Sequence, residues 1–163
     1  MGVREMTDRK EIELSQNKVA VVDADMFDEL SKYKWCYYRG YAVRLAIDKI
    51  TKKYSMIHMH RVVNTTPDAL DTDHINGNKL DNRKSNLRSA TKSENMCNRG
   101  KPKNNTSGFK GVYWHNQNKK WYARIELHSK GQHLGYFSTP ELAAEAYNAA
   151  AVSLHGEFAN LNK

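Results

Sequence analysis

The chain has 163 residues, 39% of them hydrophobic, with 26 Lys/Arg against 18 Asp/Glu and a formal charge of +8. That length allows one ordinary domain or two to three small ones, each with a modest core, and the cationic surplus favours a polyanionic partner. Two distant cysteines, Cys36 and Cys97, without a paired CxxC pattern argue against a structural zinc site and for reduced thiols in a cytoplasmic protein. The N-terminal MGVREMTDRKEIEL is too charged for a signal peptide, Met6 fails the Ser/Thr position of a myristoylation signal, and no apolar run reaches membrane-spanning length.

In chain order, residues 1–10 are polar and expected to fray. Ile12 and Leu14 alternate with charges, and Lys18 to Val22 is a short apolar run, so a β-hairpin turning at Ser15-Gln16-Asn17 is predicted. Asp23 follows as a helix N-cap, with Val22 and Phe27 placed as a hydrophobic staple. Met26, Phe27 and Leu30 share the buried face of a helix ending near Lys32. Trp35 to Ile47, broken at Gly40, and Tyr54 to Val63 read as two or three antiparallel strands around a polar turn at 48–53. Their cluster of Tyr37, Tyr38, Arg39, Tyr41 and Arg44 fits core packing better than base stacking. His58 and His60, two apart on a predicted strand, share a face. They could be half a metal site, and otherwise a pair at the surface or one that supports a site from behind its ligands. Arg61 beside them is a phosphate-contact candidate or a solvated charge.

The next stretch, DTDHINGNKLDNRKSNLRSATKSENMCNR (71–99), holds more chemistry. A strand ends at Asp73-His74, and residues 76–85 form a polar loop that opens on the tight turn Asn76-Gly77-Asn78. Asn86 to Ala90 resumes as a strand. Thr91 and Glu94 fit a capping box, which puts Asn95 on a helix running to about Arg99. Strand, loop, strand and helix can fold back to bring Asp73, His74, Asn86 and Asn95 to one point.

At these residues the stretch resembles the HNH nuclease family, and more narrowly the phage HNH homing endonucleases. Asn86 lies twelve residues after His74 and Asn95 nine residues later; Asn95 stands where many members have His. The resemblance implies a ββα-metal core, with Asp73 and Asn95 as oxygen ligands to one divalent ion, Mg²⁺ first and Mn²⁺ as the alternative. It implies His74 as the general base on the attacking water, and Asn86 as the group whose side-chain carbonyl fixes the His74 tautomer. Arg83, Lys84 and Arg88 are candidate phosphate contacts. Eight Lys/Arg against two acids from Lys79 to Lys103 fit a DNA-facing surface or a solvated face.

Gly100 to Gly108 is polar and turn-prone and reads as a linker. Beyond it, Phe109–Tyr113, Trp121–Leu127 and His133–Phe137 read as strands, with turns at His115–Lys119 and Lys130-Gly131. Thr139-Pro140-Glu141 starts a helix in which Ala143, Ala146, Tyr147, Ala150, Ala151 and Leu154 recur at helical spacing. Gly156 ends it. Alternation points Trp121, Ala123 and Ile125 at that helix, and Tyr122, Arg124 and Glu126 away from it. Gly111-Val112, Ala123-x-Ile125, Leu134-Gly135-x-Phe137, Ala143-Ala144-x-Ala146-Tyr147, Ala150-Ala151 and Asn162 make this module resemble the DNA-binding domain of plant ethylene-response factors. In that family the sheet lies in the major groove. Lys110, Tyr113, His115, Lys120, Arg124 and His133 are the candidate contacts. Trp114 and Trp121 fit packing. Arginines are fewer than the plant proteins show, so the target sequence does not carry over.

The expectation is an α+β chain in three parts. Residues 1–100 form a β-rich segment and an HNH core at about 55–100, 101–108 a linker, and 109–163 a three-stranded antiparallel sheet plus one helix. The function expected is a metal-dependent DNA endonuclease of the phage homing type, cutting double-stranded DNA one strand at a time. It would act as a monomer or weak dimer, away from membranes, in the cytoplasm of a bacterial host if phage-encoded. The competing classes are a non-catalytic DNA-binding regulator with the same fold, and an RNA-directed nuclease.

Overall fold

The computed structural model describes residues 9–128 and 130–163. The fraying expected at the N-terminus falls mostly on residues 1–8, outside that range, and Arg9 and Lys10 already belong to a strand. The chain divides into two compact units, residues 1–90 and 91–163. Each combines short antiparallel strands with short helices, so the class is α+β.

In the first unit, β1 (Arg9–Glu13) and β2 (Val19–Asp23) form the expected hairpin. It turns through Ser15–Asn17, where Gln16 and Asn17 take positive φ. Its inward residues Ile12, Ala20 and Val22 are buried. The helix α1 (Ala24–Leu30) starts after Asp23, but the Asp23 carboxylate makes no cap hydrogen bond. Its Oδ2 instead accepts the Lys84 N–H at 2.7 Å. A meander of β3 (Cys36–Tyr38), β4 (Tyr41–Ile47) and β5 (Tyr54–His58) follows. Trp35 is buried with its indole N–H on the Leu30 carbonyl at 2.8 Å. The Arg44 guanidinium lies 4.0 Å from the Tyr33 ring centre, and Tyr37 packs on the core.

The strand expected over 54–63 stops at His58. Met59–Asn64 is a helix, α2, burying Met59, His60 and Val63. His58 and His60 therefore do not share a strand face. The run Met-His-Arg-Val-Val satisfies both periods, and only the helix buries the adjacent Met59 and His60 together with Val63, a set that a strand would split between two faces. A second hairpin pairs β6 (Asp71–His74) with β7 (Leu87–Ala90), placing Asp73 opposite Arg88 and His74 opposite Leu87.

In the second unit, α3 (Lys92–Cys97) opens with the predicted capping box. Thr91 Oγ1 accepts the Glu94 N–H, and Glu94 accepts the Thr91 N–H at 2.7 Å. Three strands, β8 (Val112–His115), β9 (Lys120–Leu127) and β10 (Lys130–Phe137), form a sheet with β9 central. The helix α4 (Pro140–His155) packs on it through Ala143, Ala144, Tyr147 and Ala151. Two expected boundaries move. The first strand starts at Val112 rather than Phe109, because Gly111 takes φ +75°, and a Cβ there would lie 2.2 Å from the Tyr147 ring. The second turn is reached at His128, at φ +48°, and Lys130-Gly131 instead begin the third strand. Asn162 ties the C-terminal tail to the entry of β8, exchanging hydrogen bonds with the Lys110 N–H and C=O.

Candidate active site

The hairpin β6–β7 presents Asp73 and His74 at the end of one strand, both buried. Neighbours on a strand point to opposite faces, so each side chain has its own environment. Asp73 Oδ2 receives Nε and Nη2 of Arg88 at 2.9 and 2.7 Å from directly across the ladder. The His74 ring sits among other rings. Its centre is 5.1 Å from that of His60 and 6.2 Å from that of Tyr41. His60 in turn lies 5.2 Å from His58 and 5.1 Å from Tyr41. Burial pushes the His74 and His58 imidazoles below their ordinary range and takes His60 down to about 3. The physical cause is the loss of water around a charge, with neighbouring cations adding to it for His60. His60 Nδ1 is buried without a hydrogen-bond partner, which is consistent with a ring held neutral.

The polar loop after His74 is ordered by its own side chains. Asp81 is its hub. The carboxylate accepts Arg83 Nε and Nη2 at 2.8 and 2.7 Å and Asn76 Nδ2 at 2.9 Å. Arg83 holds its carboxyl below the ordinary carboxylate range. Asn86 Nδ2 donates to the Asp81 carbonyl at 2.8 Å, and Asn86 Oδ1 accepts the Asn76 N–H at 3.0 Å. The loop also runs along β2, with the Val21 N–H on the Leu80 carbonyl and the Asn82 N–H on the Val21 carbonyl, at 2.8 and 2.7 Å. The N-terminal hairpin is thus the wall on which the loop rests.

Two differences from the sequence expectation follow. Asn86, expected against the far nitrogen of His74, spends its amide on the loop. The side chain facing His74 is Asn82, fully buried, with Oδ1 3.4 Å from Nε2. Asn82 Nδ2 donates to the Leu80 carbonyl at 3.2 Å, which orients the amide. The only sequence signal for Asn82 was its place in the run Asp-Asn-Arg; nothing in the spacing separated it from the other loop asparagines. Tyr41 and His60 also belong to the site, because the ring cluster forms only when β4, α2 and β6 meet.

The candidate phosphate contacts of this unit all hold intramolecular partners. Arg61 donates to the carbonyls of Leu70, Thr66 and Pro67 at 2.9, 3.4 and 3.1 Å. Arg83 pairs with Asp81, Lys84 with Asp25 at 2.8 Å, and Arg88 with Asp73. Among the described residues no group of three or more His, Cys, Asp or Glu side chains is arranged to hold a metal ion. Asn95 lies on α3 in the second unit, its N–H on the Thr91 carbonyl at 2.9 Å.

In the second unit, the buried pattern of β9 points Ala123 and Ile125 at α4 and leaves Lys120, Tyr122 and Arg124 on the open face. Register adds Tyr113 and His115 from β8, and His133 and Tyr136 from β10. Five of the six candidate contacts therefore share one face. Lys110 does not join them. Its ammonium donates to the Cys97 carbonyl at 2.6 Å and lies 5.8 Å from the Tyr147 ring, on the helix side. Burial lowers its pKa. Trp121 packs on the core and Trp114 meets it edge to face at 5.2 Å.

A family described as HNH endonuclease matches residues 65–97. An uncharacterized HNH endonuclease of Acanthamoeba polyphaga mimivirus is 34% identical over 145 residues, covering 88% of this chain and 74% of the relative. Protein 3.8 of Escherichia phage T7 is 37% identical over 87 residues, 53% of this chain and 71% of its own length. An AP2-like ethylene-responsive transcription factor of Oryza sativa subsp. japonica is 48% identical over 52 residues, 31% of this chain but 8% of the plant protein. With a viral relative matched along most of both lengths, and the family's residues carried on the hairpin, loop and capped helix described above, this chain belongs to the HNH endonucleases.

Proposed function

We propose that the chain is a metal-dependent DNA endonuclease of the homing type, with residues 109–163 as a DNA-reading module and 101–108 as the functional link. The observation that carries it is the state of His74: a buried imidazole kept neutral by its surroundings, next in sequence to a buried carboxylate. An oriented Asn82 Oδ1 can only accept, so the neutral His74 ring carries its proton on Nε2. Nδ1 is then the basic nitrogen that removes a proton from water. The water oxygen attacks phosphorus, the bond to the 3′-oxygen breaks, and the imidazolium holds the proton.

Asp73, and Asn95 as the resemblance assigns it, make an all-oxygen donor set with few protein ligands, the chemistry that suits Mg²⁺ or a similar hard cation retaining water. Such an ion, when bound, polarises the phosphate and stabilises the leaving oxygen. Arg88 already compensates the Asp73 charge, so a cation beside that carboxylate replaces or shares an existing interaction. Similarity to an HNH-named viral protein and to plant transcription factors supports DNA as the substrate.

The Asp73–Arg88 pair also favours a second reading, a non-catalytic DNA-binding regulator in which Arg88 permanently stands in for the cation. Supercoiled plasmid and RNA, each incubated with Mg²⁺, with EDTA and with His74→Ala, separate the readings. The nuclease reading expects Mg²⁺-dependent nicking of the plasmid, reduced about 10²- to 10⁴-fold by His74→Ala. Binding without metal-dependent cutting supports the regulator, and preferential cutting of RNA overturns the DNA assignment.

A further inference from the structure

The open face of β8–β10 carries rings where a duplex reader carries arginines. Tyr113 and Tyr122 stack across β8 and β9 with centres 5.4 Å apart and planes at 29°. Tyr122 and His133 continue the row across β9 and β10 at 5.8 Å and 18°. Tyr136 closes on His133 at 4.7 Å and on His115 at 5.2 Å. Near-parallel rings at these separations are too far apart to eclipse and too close to lie side by side. They are therefore stacked with an offset. Tyr113 and Tyr136 are 45% and 43% exposed.

Inside a duplex the base faces are already stacked on one another, and only base edges reach the grooves. Tyr and His rings can each hydrogen-bond a base edge through a single oxygen or nitrogen, without the bidentate fork of arginine, and they offer π-faces to bases that have left the stack. The charges suit a nucleic-acid strand. Lys120 and Arg124 flank the ring row, and the Arg124 guanidinium lies against Gly131 of β10. A Cβ at Gly131 would lie 2.2 Å from the Arg124 Nη2. Residues 101–163 hold eight Lys/Arg against four Glu, and two of those four, Glu141 and Glu145, sit on α4, on the other side of the sheet.

We propose that this face binds unpaired bases of DNA, as a single strand or a locally opened duplex, by stacking them on the Tyr113, Tyr122 and Tyr136 rings while Lys120 and Arg124 hold phosphates. This rests on the reading of residues 109–163 as a DNA-binding module, and names what that module takes.

The test is binding of the full chain in EDTA, followed by fluorescence anisotropy. The probes are a short DNA strand, the fully paired duplex of the same sequence, that duplex with a central mismatched bubble, and the RNA strand. The strand and the bubble are expected to bind at least tenfold more tightly than the paired duplex. Tyr113→Ala and Tyr136→Ala, at exposed positions, are expected to weaken strand binding roughly five- to a hundredfold each and duplex binding less than twofold. Tyr113→Phe is expected to keep the strand affinity. Equal or tighter binding of the paired duplex overturns the proposal, as does an equal loss on strand and duplex in the alanine variants. Tighter binding of RNA than of the DNA strand overturns the DNA assignment. Because no cutting is read, failure here is distinct from failure of the nuclease reading, which is decided by Mg²⁺-dependent cleavage.

Discussion

At the scale of single residues, burial decides the chemistry. His60 has its folded pKa near 3, against about 6.5 for a free imidazole. Below pH 6.5 the unfolded chain takes up a proton that the folded chain refuses. Stability is therefore full above pH 6.5 and falls as pH drops toward 3, by about 1.4 kcal/mol per unit at most. Lowering the pH from 7.5 to 5 should remove about 2 kcal/mol through His60. Urea titrations at both values check this, and His60→Phe should flatten the difference. An identical loss in both proteins would show that His60 is not its source. His74 is shifted in the same direction. Under the proposed mechanism the cleavage rate at saturating Mg²⁺ should stay level from neutral pH down to 6.5 and decline only at lower pH. A rate that instead climbs tenfold per unit from pH 6.5 to 8 would point to a different base.

At the scale of elements, the loop between β6 and β7 shows how a polar sequence becomes rigid. It has almost no apolar side chain to bury, so its order comes from Asp81 and the asparagines. Asp81→Ala leaves Arg83 and Asn76 without their acceptor and should destabilise by about 2–3 kcal/mol. It should also slow cleavage, because Asn82 and hence His74 lose their alignment. Chemical denaturation and plasmid nicking measured on the same protein check both parts; a stable variant with full activity would mean the loop holds by its backbone alone. The capping box at Thr91 was legible because its two partners are three residues apart and need nothing else. The helix at Met59–Asn64 was not, because a five-residue run with two valines fits either period until the core chooses.

At the scale of the whole chain, charge is unevenly shared. Residues 91–163 hold ten Lys/Arg against five Glu, and residues 1–90 sixteen against thirteen acids. In the first unit Arg61, Arg83, Lys84 and Arg88 are each engaged internally. The net positive charge is therefore larger in the second unit, +5 (10 − 5) against +3 (16 − 13). Deleting residues 101–163 should weaken DNA affinity and flatten its dependence on salt, and should scatter the cleavage positions more than it slows the cutting step. Affinity in a salt series and mapped cut sites check this. Unchanged affinity and unchanged positions would refute a reading role for the module.

The sequence by itself determined the α+β class, the hairpin that carries Asp73 and His74, the capped helix that follows it in the chain, the inward and outward faces of β9, and the α4 helix with both its ends. These depend on neighbours two to four residues apart, the range over which periodicity and capping act. Only the tertiary structure decided that Asp23 tethers the loop instead of capping α1, that Asn82 faces His74 while Asn86 holds the loop, and that Arg88 neutralises Asp73. It alone gathered Tyr41, His58, His60 and His74 into one cluster and laid the rings of β8–β10 across each other. Those contacts join residues far apart in the chain. Which of several chemically equivalent asparagines or arginines meets a given partner depends on how the strands are brought together, and no local pattern encodes that choice.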